Sequence, residues 1–153
     1  MNILFVCLGN ICRSPLADGV MRSLVKKHQL PWTVDSAGTA NYHIGEAPDK
    51  RAQEIAKKNG VDISGLRGRQ FQVNDFDYFD YIFAMDASNY QNIVKLARNQ
   101  EDINKVELFL NRLEPGMNRG VKDPWYDDAL FEPVYKEIEQ TCKAIIRDFS
   151  SDN

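Results

Sequence analysis

The chain has 153 residues, of which 43% are hydrophobic and 27% charged, and its formal net charge is −3. These values are typical of one globular domain, which we predict to span residues 1–153. Because the charge shows no basic excess, it does not favour a nucleic acid or a membrane surface as a partner. Three sparse cysteines do not make a disulfide framework, and no apolar stretch is long enough to cross a membrane, so we expect a cytoplasmic protein.

The chain is predicted to open with a strand, a tight loop and a helix. Asn2–Cys7 is a short apolar run with β-branched residues, which is typical of a central parallel strand. The run breaks at residues 9–10. Ser14 followed by Pro15 then resembles a helix start, with the serine as N-cap, and helical spacing of apolar residues continues to His28.

The rest of the chain alternates strands and helices, which predicts a parallel α/β sandwich. Residues 114–128 hold two prolines and two glycines and are predicted to form a long loop, a feature that is often functional in compact domains. The predicted strands are 32–36, the run 81–84 within 76–85, and 106–110, and the predicted helices are 48–60, 86–98 and 131–149.

The loop after the first strand has the residue types that bind a phosphate group. A tight turn before a helix directs backbone N–H groups at one point, and Arg13 can place two hydrogen bonds on phosphate oxygens. Gly9 permits the turn, and Asn10 tolerates a left-handed backbone. The same positive environment favours the thiolate form of Cys7, and Ser14 can hydrogen-bond its sulfur.

These features predict a cysteine nucleophile that attacks phosphorus and forms a phosphocysteine, which water then hydrolyses. The alternative interpretation is that Cys7 is a buried strand-end cysteine and Arg13 a surface residue of the helix. No metal or other cofactor is predicted, because the two histidines, His28 and His43, are isolated and no metal-ligand cluster is visible. A dinucleotide site is excluded, since the loop lacks Gly-x-Gly-x-x-Gly.

A second chemical group is expected in the long loop, because the leaving alcohol must receive a proton. Asp123 supplies a carboxyl group there, and Pro124 restricts it to extended geometry. An Asp-Pro pair by itself is more often a simple turn. The prediction that Asp123 is catalytic therefore depends on its pairing with the cysteine loop.

Two motifs resemble the low-molecular-weight protein tyrosine phosphatases. They are VCLGNICRSP at residues 6–15 and DPWY at residues 123–126, and further family-like segments lie at 35–38, 45–49 and 85–89. Length and element order also match, so the resemblance spans essentially the whole chain. It implies a three-layer α/β sandwich with a four-stranded parallel sheet, strand order 2-1-3-4, flanked by helices.

The resemblance also implies a role for each matching residue. Cys7 is the nucleophile, Arg13 binds phosphate, and Asp123 acts as general acid and then base. The implied phosphate-binding loop contains Leu8, Gly9, Asn10, Ile11, Cys12, Arg13 and Ser14. Ser14, Asn10 and Ser36 support this loop, while Leu8, Tyr42, Trp125 and Tyr126 line a crevice for the substrate's aromatic ring. The implied partners are a phosphotyrosine protein and phosphate or other oxyanion inhibitors, and the chain is expected to be a monomer or weak dimer.

Two cysteines and one departure from the family pattern leave questions open. Cys12 matches a second loop cysteine, which either forms a reversible disulfide with Cys7 under peroxide or simply fills the loop. Cys142 lies in the apolar stripe of the last helix and is predicted to be a buried small hydrophobe. Leu66 stands where some members carry a histidine that braces the loop asparagine, so that contact is in doubt.

Three other functions compete on the same scaffold. An arsenate reductase needs further relay cysteines, and none lies between Cys12 and Cys142. A protein arginine phosphatase is disfavoured because Ile11 stands where that branch carries a threonine. A non-catalytic phosphoprotein-binding module is disfavoured because the chain retains the candidate nucleophile, arginine and acid together.

Overall fold

The apolar run at the start of the chain forms β1, Asn2–Cys7, a central strand of a parallel sheet. β1 pairs with β2, Thr33–Gly38, on one side and with β3, Tyr81–Ala84, on the other, and β3 pairs with the edge strand β4, Val106–Leu108. The computed structural model describes residues 1–150, and its strand order β2-β1-β3-β4 confirms the predicted four-stranded sheet.

Helices cover both faces of this sheet. Along β1, Ile3 and Phe5 belong to one apolar core, and Leu4 and Val6 belong to a second core on the opposite face. The three layers confirm the predicted α/β sandwich. The α-helices of the described residues are α1 Arg13–Lys27, α2 Lys50–Lys58, α3 Asp75–Tyr78, α4 Ala87–Val94, α5 Gln100–Asn104 and α6 Phe131–Ser150. The first core is closed by α1, α2 and α6, and the second by α3 and α4.

The start of α1 differs from the prediction that Ser14 is its N-cap. α1 begins at Arg13, and its N-cap is Cys12, which makes no side-chain capping bond. The Ser14 hydroxyl lies instead 3.0 Å from the sulfur of Cys7. A side-chain cap would occupy the N–H groups of the first turn, which an anion-binding loop leaves open to its ligand.

Several other boundaries also differ from the sequence pattern. The predicted third strand, Tyr81–Ala84, is confirmed, and the short helix α3 precedes it and inserts Phe76 into the second core. The predicted helix 86–98 ends at Val94, and the short helix α5 follows. β4 ends early because Phe109–Arg112 form a 3-10 turn.

The C-terminal part of the chain follows the prediction closely. Residues 114–128 connect the sheet to α6 with no longer element than the 3-10 turn Pro124–Tyr126. α6 extends over the predicted residues, and Cys142 is fully buried within it, with its sulfur 3.8 Å from the carbonyl oxygen of Ala17. None of the helices in the described part of the chain has the length and apolar character needed to cross a membrane.

Candidate active site

Cys7 ends β1 at the carboxyl edge of the sheet, where a parallel α/β sheet usually binds its ligands. The residue is 3% exposed and lines a cleft of about 220 Å³. Its sulfur accepts the backbone N–H of Asn10 at 3.2 Å and lies 3.0 Å from the Ser14 hydroxyl. Both groups can direct a proton at the sulfur, so they stabilise negative charge on it.

Asn10 connects the phosphate loop, residues 7–14, to the rest of the fold. Its side-chain N–H groups donate to the hydroxyls of Ser14 at 2.8 Å and Ser36 at 3.0 Å. Because the Ser14 hydroxyl accepts from Asn10, its own proton can point to the Cys7 sulfur at 3.0 Å, which is nearer than its other acceptor, the Ala37 carbonyl oxygen at 3.5 Å. Asn10 also has a φ of 59°, so the left-handed turn of the loop falls on the asparagine and not on Gly9.

The carbonyl oxygen of the Asn10 side chain has a partner that the family resemblance did not indicate. It accepts the backbone N–H of Arg69 at 3.0 Å, while Leu66 packs against the first core. The Arg69 side chain forms ion pairs of 3.1 Å with Asp35 and with Asp75. The loop asparagine is therefore braced through a backbone segment that two carboxylates hold in place.

Arg13 is 3% exposed, and its guanidinium is fixed by two acceptors. One nitrogen, Nη1, donates to the Asp86 carboxylate at 2.7 Å and to the Val121 carbonyl at 3.0 Å. Burial disfavours the charged guanidinium, but the negative charge at Cys7 and the bond to Asp86 outweigh it and raise the pKa of Arg13. Arg13 thus stays charged, which leaves a fixed cation at the base of the cleft.

Asp123 lies on the acid loop, residues 122–130, which forms another side of the cleft. One oxygen of its carboxylate accepts the backbone N–H of Trp125 at 3.1 Å, within the 3-10 turn that Pro124 starts. The other oxygen is 3.8 Å from Nη2 of Arg13. The Asp123 side chain is 36% exposed, so an incoming group can reach it.

Four side chains predicted to form the substrate crevice line the same cleft. Leu8, Tyr42, Trp125 and Tyr126 are all exposed, and Tyr126 reaches 88%. Exposed aromatic groups around one polar base are unusual on a protein surface and are typical of a binding site.

His43 is a cleft residue to which sequence reasoning assigned no role. Its Nδ1 lies 2.8 Å from a carboxylate oxygen of Glu46, and its ring centroid lies 6.0 Å from that of Trp125. The imidazole also lies over Gly9, where an added Cβ would come within 3.1 Å of it. The His-x-x-Glu spacing beside Tyr42 is the only sequence signal for this contact.

With this geometry established, comparisons with known proteins identify the family. Residues 2–153 match the family model described as low molecular weight phosphotyrosine protein phosphatase. The enzyme of that name from Gallus gallus is 41% identical over 149 residues, which cover 95% of this chain and 93% of the relative. This chain belongs to the low molecular weight phosphotyrosine protein phosphatase family.

Solved structures agree with this assignment. A protein tyrosine phosphatase from Entamoeba histolytica with Hepes in its active site superposes with a TM-score of 0.91 at 35% identity, over 99% of this chain and 98% of that one. A Drosophila arginine phosphatase superposes with a TM-score of 0.92 at 33% identity, over all of both chains. The chain is therefore an enzyme of the low molecular weight phosphatase class, which acts on phosphorylated substrates.

Asp86 is a further residue of this phosphatase that the sequence did not single out. It lies two residues beyond the end of β3, at the same edge of the sheet where Cys7 ends β1, and its second carboxylate oxygen caps α4 by accepting the backbone N–H of Asn89 at 2.8 Å. An acidic residue two positions after a buried strand was the signal, because the carboxyl ends of parallel strands meet at one edge. Asp86 anchors Arg13 and starts a helix at the same time.

Cys12 of the phosphatase lies in the loop beside the nucleophile candidate. It is 5% exposed and lines the cleft, and both it and Cys7 are free thiols. Burial, followed by the negative charges of Asp49 and Cys7, raises the pKa of the Cys12 thiol. Cys12 therefore stays protonated, and its two predicted roles, redox partner or loop filler, stay predictions.

Proposed function

We propose that this phosphatase hydrolyses phosphotyrosine in proteins, and small aryl phosphates, through a phosphocysteine intermediate on Cys7. The observation that carries the proposal is that one cleft brings together the Cys7 sulfur, the Arg13 guanidinium, the Asp123 carboxyl and aromatic walls. The proposed reaction uses no metal and no cofactor. The proposal also treats residues 1–153 as one domain that works in the cytoplasm as a monomer or weak dimer.

The first step transfers the phosphoryl group to sulfur. The Cys7 thiolate attacks phosphorus and forms the S–P bond while the P–O bond to the aryl group breaks. Asp123, protonated at this stage, gives its proton to the departing oxygen. Arg13 and the backbone N–H groups of the phosphate loop bind the three phosphoryl oxygens and stabilise charge in the transition state.

The second step releases phosphate and restores the enzyme. Asp123, now a carboxylate, takes a proton from water, and the water oxygen forms a bond to phosphorus as the S–P bond breaks. The electron pair returns to sulfur, where the Asn10 N–H and the Ser14 hydroxyl stabilise it. Inorganic phosphate leaves with the oxygen that water supplied.

The cleft walls favour an aryl phosphate over the alternatives. Ile11 lines the cleft with an apolar side chain, which suits a phenyl ring better than the polar guanidino group of phosphoarginine. The likeness to the Drosophila arginine phosphatase makes phosphoarginine the second candidate substrate. An arsenate reductase needs a relay thiol near the nucleophile, and Cys142 is instead buried between α1 and α6.

The proposal is tested by comparing substrates and one nucleophile variant. We expect the wild type to hydrolyse p-nitrophenyl phosphate and a phosphotyrosine peptide, and to leave phosphoarginine and arsenate essentially unchanged. Cys7→Ser is expected to lower kcat by at least about 10⁴-fold, because the nucleophile is lost. Acid-quenched wild type should carry one phosphoryl group on Cys7, detected by peptide mass spectrometry.

Cys142→Ala is the matched control, since it removes a buried cysteine remote from the cleft and should keep the wild-type kcat. Equal turnover by wild type and Cys7→Ser would show that the mechanism is wrong. A clear preference for phosphoarginine would leave the mechanism in place and overturn the proposed substrate.

A further inference from the structure

The acid loop has few attachments to the rest of the fold. Its backbone hydrogen bonds are local, from Asp127 to Pro124 at 3.1 Å and from Leu130 to Asp127 at 3.0 Å. The carboxylates of Asp123 and Asp127 likewise bond backbone N–H groups two residues ahead. Something outside the loop must therefore fix its distance from the phosphate loop.

Arg51, in the first turn of α2, makes that attachment. Its Nη1 donates to the Trp125 carbonyl at 3.0 Å and to the Asp128 carboxylate at 2.6 Å. Within residues 1–150 these are the only hydrogen bonds that tie residues 122–130 to another part of the fold. Among the described residues, the 3.8 Å pair between Arg13 and Asp123 is the one ion pair of the acid loop that does not involve Arg51.

The same guanidinium also bonds a carboxylate through its other nitrogens and lies near two aromatic rings. Nε and Nη2 each donate to the Asp49 carboxylate at 3.0 Å. Its central carbon lies 5.4 Å from the Trp125 ring centroid and 4.8 Å from that of Phe131. A planar group with several fixed donors and two aromatic neighbours is rigid in a way that a lysine ammonium is not.

Asp49 completes a connection between the two loops. Its backbone N–H donates to the carbonyl of Ile11 in the phosphate loop at 2.8 Å. Contacts thus run from the phosphate loop through Asp49 and Arg51 to Trp125, two residues beyond Asp123. A displacement of the acid loop by about 1 Å would be enough to cost proton transfer much of its efficiency.

We propose that Arg51 is a positioning residue, which sets the place of the Asp123 carboxyl relative to the Cys7 sulfur by clamping the acid loop to the start of α2. This inference rests on the proposed function of Asp123 as the general acid. It makes a prediction that simple stabilisation of the fold does not: loss of Arg51 should matter most where the leaving group needs a proton.

The kinetic test compares leaving groups in Arg51→Met, which keeps an unbranched side chain and removes the guanidinium with its N–H donors. We expect kcat/KM to fall about tenfold for phenyl phosphate, a strongly basic leaving group, and less than about threefold for p-nitrophenyl phosphate. Arg98→Met is the matched control, because Arg98 also pairs with two carboxylates, Asp77 and Asp102, yet bonds no residue of the acid loop. It should leave both values at the wild-type level.

Arg51→Lys provides a milder change if Arg51→Met does not fold. It should also lower kcat/KM more for phenyl phosphate than for p-nitrophenyl phosphate. Equal losses for both substrates in the Arg51 variants, with wild-type pH profiles, would mean that Arg51 acts only on the fold and would overturn the proposal.

A second measurement does not depend on catalysis. Trp32 and Trp125 are the only tryptophans, so a Trp32→Phe background isolates the fluorescence of Trp125. We expect Arg51→Met in this background to increase acrylamide quenching and lower the anisotropy of Trp125, and Arg98→Met to change neither. If Trp125 is unaffected, the clamp is wrong even where the phosphatase mechanism is right. If Trp125 loosens but Asp123 proves dispensable, the proposed function fails and the clamp remains only a structural contact.

Discussion

The two loops that form the cleft are held in opposite ways. In the phosphate loop, Asn10, Arg13 and Ser14 are buried, and their side chains bond β2, Asp86 and the sulfur of Cys7. In the acid loop, Trp125 is 41% exposed, and the polar contacts are local turns with Arg51 as the main outside attachment. One loop is built into the fold, and the other lies on its surface.

The difference matches the tasks proposed for the two loops. Binding a phosphoryl group requires several donors fixed in advance, because reorganising them during the reaction would cost the stabilisation they provide. Delivering a proton requires one carboxyl group at the right distance and a side open to the substrate. Loss of the side chain that binds the phosphoryl group should therefore cost more activity than loss of the acid, and loss of a side chain that only supports the phosphate loop should cost less than either.

The largest effect is expected from Arg13→Lys. Lysine keeps the charge but cannot bond Asp86, the Val121 carbonyl and two phosphate oxygens with one planar group. We expect kcat/KM for p-nitrophenyl phosphate to fall by about 10³-fold. Arg119→Lys, which changes an exposed arginine paired with Glu114 and Glu137, should have no effect. A loss below about tenfold for Arg13→Lys would show that the planar guanidinium, with its several N–H donors, is not needed.

Asp123→Asn should have the next largest effect. The amide cannot donate the acid proton, so kcat/KM for phenyl phosphate should fall by about 10²-fold, with a smaller loss for p-nitrophenyl phosphate. Asp127→Asn is the paired control, because Asp127 lies in the same loop and also bonds a backbone N–H two residues ahead, at 3.0 Å. Steady-state kinetics of both variants measure the difference. Equal losses of kcat/KM in Asp123→Asn and Asp127→Asn would show that the loss comes from a disturbed loop and not from the missing acid proton.

The same contrast explains which parts of the molecule could be predicted from sequence. The sheet, α6 and the Cys7 loop are encoded by short local patterns: an apolar β-branched run, a helical stripe and a turn before a helix. The partners of Arg13 and Asn10 are not local, since Asp86, Val121 and Arg69 are brought to the loop by the order of strands in the sheet. No spacing rule along the chain contains that information.

Errors at element ends have a related cause. A serine before a proline is a strong helix-start signal, yet in this loop Ser14 bonds the sulfur of Cys7, and α1 begins at Arg13, two residues before the predicted first helical residue, Pro15. At this helix start a tertiary contact outweighs the local preference.

Asn10 should show an intermediate effect that separates backbone from side chain. Asn10→Gly tolerates the φ of 59° but loses the bonds to Ser14, Ser36 and Arg69, and we expect a loss of about tenfold in kcat/KM. Asn10→Ala loses the same bonds and adds the cost of a left-handed backbone, about 1 kcal/mol of unfolding free energy. Urea unfolding compares the two. If alanine is as stable as glycine here, the backbone conformation is not a constraint on the loop.

The smallest effect concerns Asp49, which lies between the two loops. Burial disfavours its charge, but hydrogen bonds from the side chain and backbone of Arg51 outweigh burial and lower the pKa of the Asp49 carboxyl. Since the folded pKa lies below the unfolded one, the contribution to stability is present above about pH 4 and is lost as pH falls through the folded pKa.

Asp49→Asn keeps an N-cap for α2 and removes only the charge, so it isolates this contribution. We expect the variant to be less stable than the wild type by up to about 1 kcal/mol near pH 6, because the exposed Arg51 side screens the pair. The difference should narrow at a pH below the lowered pKa of Asp49, where the wild-type carboxyl is protonated as well. Urea unfolding at the two pH values measures it. A difference that stays constant would assign the role of Asp49 to its geometry, and the connection between the loops would then depend on shape and not on charge.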